Sequence, residues 1–200
     1  MTRIQISTRI VILCILGSMC SCASKNITKY YFQNKNVLDS IEHSYKIQYQ
    51  HKPFTIEFTD KTFQNLAVEI WTDSIKYIYD FNEADHRLND TLLKYKLRTK
   101  EVYSLVRQMQ SIQCTWVNNL DYYAGNIKHS MIFMSIRPRA INYFARKKYY
   151  IITYFPAKQY YDKDGTLLVN RRLKKVRKIN ADVFHRITDN VAYTLSDRFR

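Results

Sequence analysis

The sequence predicts an α+β fold, a mainly antiparallel sheet with about three helices packed on it in a single domain, and three observations lead there. Phe54, Ile56 and Phe58 alternate with Thr55 and Glu57, the period of a short amphipathic strand. Val102, Leu105, Val106, Met109 and Ile112 recur at helical spacing, the stripe of a helix lying across a sheet. The two periods come in groups, in the order helix, strands, helix, strands, helix, which is the order of an antiparallel sheet with helices on one face.

The elements follow in chain order. Residues 22–35 are polar except for Tyr30, Tyr31 and Phe32 and read as a tether too short for a module. Asn36 caps a helix carrying Val37, Leu38, Ile41 and Tyr45, which ends before Pro53. Three strands follow around Phe54–Phe58, Leu66–Ile70 and Ile75–Tyr79, the last two joined by Thr72-Asp73-Ser74, as a meander with one wet face. Leu93, Tyr95 and Leu97 alternate with Lys94, Lys96 and Arg98 as a fourth strand, and Thr99 opens the clearest helix. Cys114–Val117 and the run Met131–Met134, apolar on both faces, are strands on either side of a Gly125-Asn126 turn. Tyr149–Phe155 is a strand stopped by Pro156, and Asp162–Gly165 is a turn. Asn180 caps a final helix carrying Val183, Phe184, Ile187, Val191 and Leu195.

The first 21 residues stand apart. Arg3 and Arg9 precede the apolar run Ile10–Leu16, and small residues and sulfur follow in Gly17–Cys22. A basic start, a short apolar run and a small-residue exit make a secretory signal, because a transmembrane helix needs roughly 20 apolar residues. Met19-Cys20-Ser21-Cys22 places an apolar residue three before a cysteine and a small residue just before it. In this the N-terminus, about a tenth of the chain, resembles bacterial lipoprotein signals. The resemblance implies cleavage after residue 21, lipidation of Cys22 (alternatively Cys20) with palmitate-type acyl chains, and residence at a cell or outer membrane of the envelope, facing the periplasm. Two or more acyl chains hold a protein on a bilayer because each buried methylene contributes about 0.8 kcal/mol.

Composition narrows the function classes. Of 3 glycines, Gly125 and Gly165 alone lie beyond the signal, which excludes the glycine-rich loops that cradle phosphates. Cys114 is the one thiol of the body and reads as a small buried apolar residue. His43, His51, His86, His129 and His185 never fall at metal-ligand spacing, and Glu83, Asp85, His86 and Asp90 read as a solvated loop. Asp162-Lys163-Asp164-Gly165 resembles a calcium-loop fragment, but position twelve is Leu173 where a glutamate is needed. No cofactor, metal or catalytic residue is expected.

Charge is the strongest functional signal. Residues 22–127 hold 13 basic and 12 acidic side chains, whereas 128–200 hold 17 and 5. Such asymmetry marks an anionic partner. The densest surface combines Arg137, Arg139, Arg146, Lys147 and Lys148, beside Tyr149 and Tyr150, with Arg171, Arg172, Lys174, Lys175, Arg177 and Lys178. In an exported protein its partner is anionic lipid or an acidic envelope polymer, and nucleic acid only if the leader is misread. The expectation is an anchored, non-catalytic binding or assembly component; the alternative is an envelope enzyme acting on polysaccharide, peptide or lipid.

Overall fold

A computed structural model describes residues 26–124, 127–143, 146–165 and 184–196. The chain divides into two compact units, 1–35 and 36–200. In the first, residues 26–33, read from the sequence as part of a tether, are helical (α1), with Ile27, Tyr30 and Tyr31 buried at helical spacing. Asn34 closes it, donating to the Tyr30 carbonyl from both its backbone N–H, at 3.1 Å, and its side chain, at 2.9 Å.

The second unit is one eight-stranded antiparallel sheet with helices, the α+β class predicted. After α2 (Lys35–His51) come β1 (Phe54–Phe58), β2 (Asn65–Trp71) and β3 (Lys76–Asn82). Two helices follow, α3 (His86–Lys94) and α4 (Thr99–Ser111), and then β4 (Cys114–Ala124), β5 (Ile127–Tyr143), β6 (Arg146–Tyr154), β7 (His185–Arg186) and β8 (Val191–Ser196). The spatial order is β3-β2-β1-β4-β5-β6-β8-β7. Each strand from β1 to β6 therefore lies beside the strand before or after it, except that β1 meets β4 across the α3–α4 excursion.

One sheet face carries Phe54, Ile56, Leu66, Val68, Ile70, Val117, Ile132, Met134 and Ile152, all buried. Helix α2 lies on it. Buried Tyr45 donates its hydroxyl to the Phe54 carbonyl at 2.5 Å, and Asp39 accepts a bond from the Tyr154 hydroxyl at 2.9 Å. Burial holds the Tyr45 phenol well above its ordinary pKa, so it stays a donor. The Arg98 N–H donates to the Gln48 side chain, which joins α2 to the start of α4. On the opposite face Trp116, Met131, Phe133, Ile151, Phe155, Phe184 and Ala192 form a second apolar cluster.

Three sequence expectations are corrected. The alternation Leu93, Tyr95, Leu97 is not a strand: Asp85 caps α3, accepting from the Arg87 N–H, and the helix buries Leu88 and Leu92, one turn apart, while Leu93 is exposed. Burial at i and i+4 under a capping carboxylate outweighs a three-residue alternation. Glu83 and Asp85 lie in the turn before α3, and His86 and Asp90 on the helix, with Glu83, His86 and Asp90 exposed. The final helix is instead the pair β7–β8: along β8 Val191, Tyr193 and Leu195 alternate with Ala192, Thr194 and Ser196, a strand period that competes with the helical spacing of Ile187, Val191 and Leu195, and β8 pairs with β6. Its start at Asn180 and Val183 lies outside the described residues. Finally, the meander has no uniform wet face: Glu57 and Glu69 are each only 7% exposed, and Glu69 meets Lys76 at 3.1 Å.

The β1–β2 connection is ordered by one carboxylate. Asp60 accepts bonds from the N–H groups of Thr62, Gln64 and Asn65 and from the Thr62 hydroxyl. Partial burial pushes its pKa up, but these donors outweigh that and bring it to about 2 from the ordinary 3.8. A folded-state pKa below the unfolded value gives stability that is complete above pH 3.8 and lost as pH falls through 2. An NMR titration of Asp60 is expected to give this depressed midpoint, and Asp60→Asn to flatten the pH dependence of stability over that window.

Candidate functional site

β5 is 17 residues long and runs past β6 at one end and past β4 at the other. At one end, 127–131 pair with β4 alone. There Lys128 meets Asp121 across the strands at 2.7 Å, and Asn119 donates to Asp121 at 2.6 Å. Partial burial raises the Asp121 pKa, but the bonds from Lys128 and Asn119 prevail and hold it below the ordinary value.

At the other end β5 pairs only with β6. Ile136 lies opposite Tyr150 beside the full sheet, after which the register jumps to Ile141 opposite Lys148, Asn142 opposite Lys147 and Tyr143 opposite Arg146. Four residues of β5, 137–140, thus face one of β6, Tyr149. Pro138 at this place has no N–H to give to a ladder, which accounts for a bulge here. β8 ends its pairing at Ser196 opposite Tyr149, so nothing among the described residues adds a third strand to the ribbon.

The ribbon brings together five of the predicted binding residues from two segments. Arg137 and Arg139 belong to the bulge, and Arg146, Lys147 and Lys148 form the returning strand. Between Asp121 and Asp162 the chain has no carboxylate at all. The segment itself therefore supplies no counter-charge, and like charge this dense repels unless something neutralises it. The six predicted cations from Arg171 to Lys178 lie outside the described residues, as do Cys20 and Cys22.

A concave feature lies elsewhere, one that the sequence reading does not include. Lys61, Thr62, Phe63, Gln64, Glu83, Gln110 and Gln113 line an open cleft of about 420 Å³. Gln110 donates to the Phe63 carbonyl at 2.9 Å and also to Glu83. Phe63 and Gln113 have φ of 59° and 53°, a left-handed backbone that non-glycine residues seldom adopt. Nothing in residue type marks those two positions, so sequence patterning passes over the cleft. It holds a single carboxylate, Glu83, and so no acid–base pair of its own.

Two further side chains with reactive potential, Cys114 and His185, are engaged in packing. Cys114 is fully buried, its sulfur donates to the Trp116 carbonyl at 3.4 Å, and burial pushes its pKa up to about 12. A neutral thiol without solvent access is no nucleophile. His185 stacks on Tyr193 with 5.1 Å between ring centres. Among the described residues no three His, Cys, Asp or Glu side chains gather closely enough to hold a metal ion, and no helix is long and apolar enough to cross a membrane. No protein family, curated protein or solved structure matches this chain.

Proposed function

We propose that this chain is a lipid-anchored component of a bacterial cell envelope, held at the membrane through Cys22 and facing the periplasm, that binds anionic partners through its basic ribbon without catalysing a reaction. The observation that carries the reading is the β5–β6 ribbon itself, two strands wide, with Arg137, Arg139, Arg146, Lys147 and Lys148 on it and no acidic residue from 122 to 161. A narrow ribbon presents its backbone and flanks to a surface without the rest of the sheet intervening. Basic residues near an anionic membrane contribute about 1 kcal/mol each, so five cations suffice for a measurable, salt-sensitive attraction. The partner class is the phosphate- or carboxylate-bearing surface of the envelope, either lipid head groups or acidic polymer.

Co-sedimentation with vesicles tests this. Acyl chains contribute equally to anionic and zwitterionic vesicles, so the difference between the two reads charge alone. The full chain is expected to prefer vesicles with anionic lipid, and to lose that preference as salt shortens the Debye length from about 10 Å at 0.1 M towards 3 Å at 1 M. Equal binding to both vesicle types at low salt would refute the basic-ribbon reading.

A further inference from the structure

β3 is an edge strand of the sheet. It bonds only to β2 among the described residues, which leaves its outer row of N–H and C=O groups to solvent. Such an edge is a template for another strand unless charges or irregularities block it. Ile75 and Ile78 are each 53% exposed, and Tyr77 is 38% exposed.

Lys76-Tyr77-Ile78-Tyr79-Asp80 reads the same in both directions except for the sign of its terminal charges. Two copies running antiparallel about a two-fold axis through Ile78 therefore place Tyr77 opposite Tyr79, Ile78 opposite Ile78, and Lys76 opposite Asp80 twice over. Lys76 and Asp80 fall on the same face as Ile78, since side chains alternate along a strand. Directly opposed residues of unlike charge and aromatic pairs both stabilise an antiparallel ladder. Asp80 is exposed and makes no ion pair among the described residues, while Lys76, already bonded to Glu69, keeps a side chain that is 47% exposed.

Other registers fail. An axis moved one residue either way sets a charge against Ile78, and an axis through Lys76 or Asp80 sets like charges together. The two charges that guard the edge thus exclude every neighbouring pairing but one. We propose that β3 forms a two-fold symmetric edge-to-edge dimer of this chain in that register, joining two sheets into one. Five paired residues bury less than the roughly 1,200–2,000 Å² of a standard interface, so the dimer is weak and concentration-dependent.

Disulfide trapping reads the register directly, using the full chain with Cys14, Cys20 and Cys22 replaced by alanine. Opposed residues lie about 4.5–5.5 Å apart between Cα atoms, inside the range a disulfide spans. The two Asp80 positions are four residues out of step, about 13 Å apart. Under mild oxidation Ile78→Cys is expected to form covalent dimer at least about tenfold faster than Asp80→Cys. Adding Asp80→Lys or Lys76→Glu to Ile78→Cys should each remove the trapping, and mixing those two chains should restore it, because the mixed dimer again has unlike charges in both pairs. Circular dichroism confirms that each variant is folded, and Asp80→Lys alone suffices if Lys76→Glu is not. Equal trapping by Ile78→Cys and Asp80→Cys, or trapping that survives Asp80→Lys, would overturn the pairing.

Discussion

Reversing four charges of the ribbon, Arg137→Glu, Arg139→Glu, Arg146→Glu and Lys147→Glu together, is expected to weaken binding to anionic vesicles by at least about a hundredfold at low salt. Each cation near an anionic surface contributes about 1 kcal/mol, so losing four removes about 4 kcal/mol, and each 1.4 kcal/mol is a factor of ten. The new carboxylates add repulsion, while the cations at Arg171 to Lys178 retain part of the attraction. The comparison with zwitterionic vesicles and a salt series separates charge from any general loss of folding. Binding that does not change would remove the ribbon from the interface.

Truncating Tyr45 to alanine is expected to destabilise the domain by about 3–5 kcal/mol, the cost of deleting a buried aromatic side chain. Tyr45 is fully buried at the contact between α2 and the sheet, with ring centres 5.1 Å from Phe54 and 5.7 Å from Tyr49. Its hydroxyl also holds the Phe54 carbonyl, so the ring and the bond can be separated by a second variant. Tyr45→Phe keeps the ring and gives up the donor, at a cost of about 1–2 kcal/mol. Urea unfolding followed by tryptophan fluorescence measures both. A loss for Tyr45→Ala no larger than for Tyr45→Phe would show that α2 is not packed through this ring.

The parts of the fold that were readable in the sequence are those where one face differs from the other. Phe54, Ile56 and Phe58 fall on the helix side of β1, and the stripe from Val102 to Met109 is buried along α4 as expected. Burial of both faces does not by itself erase that signal, since β1 is buried throughout and Thr55 and Glu57 still mark its second face. β8 alternates Val191, Tyr193 and Leu195 with Ala192, Thr194 and Ser196, but Ile187, Val191 and Leu195 also fall at helical spacing, so two periods fit the same residues and pairing with β6 decides between them. α3 misled in the opposite way, since its stripe is only Leu88 and Leu92, too narrow to compete with the alternation that starts at exposed Leu93.

For the site, the excess of cations was legible and their arrangement was not. Counting residues finds Arg137, Arg139 and Arg146–Lys148, but their convergence depends on β5 outrunning β4 and β8 and on the bulge at Pro138. Those are properties of pairing between segments. The edge position of β3 is likewise set by topology: the near-palindrome around Ile78 means nothing until β3 is known to have one neighbour. The left-handed Phe63 and Gln113 that shape the polar cleft carry no glycine to announce them.

The anchor on which the envelope reading stands is tested most directly by the intact mass of the protein isolated from the membrane fraction of its native host. The expected mass is that of residues 22–200 plus acyl chains on Cys22. An unprocessed chain of full length found in the soluble fraction would contradict it, and would turn the basic ribbon towards nucleic acid.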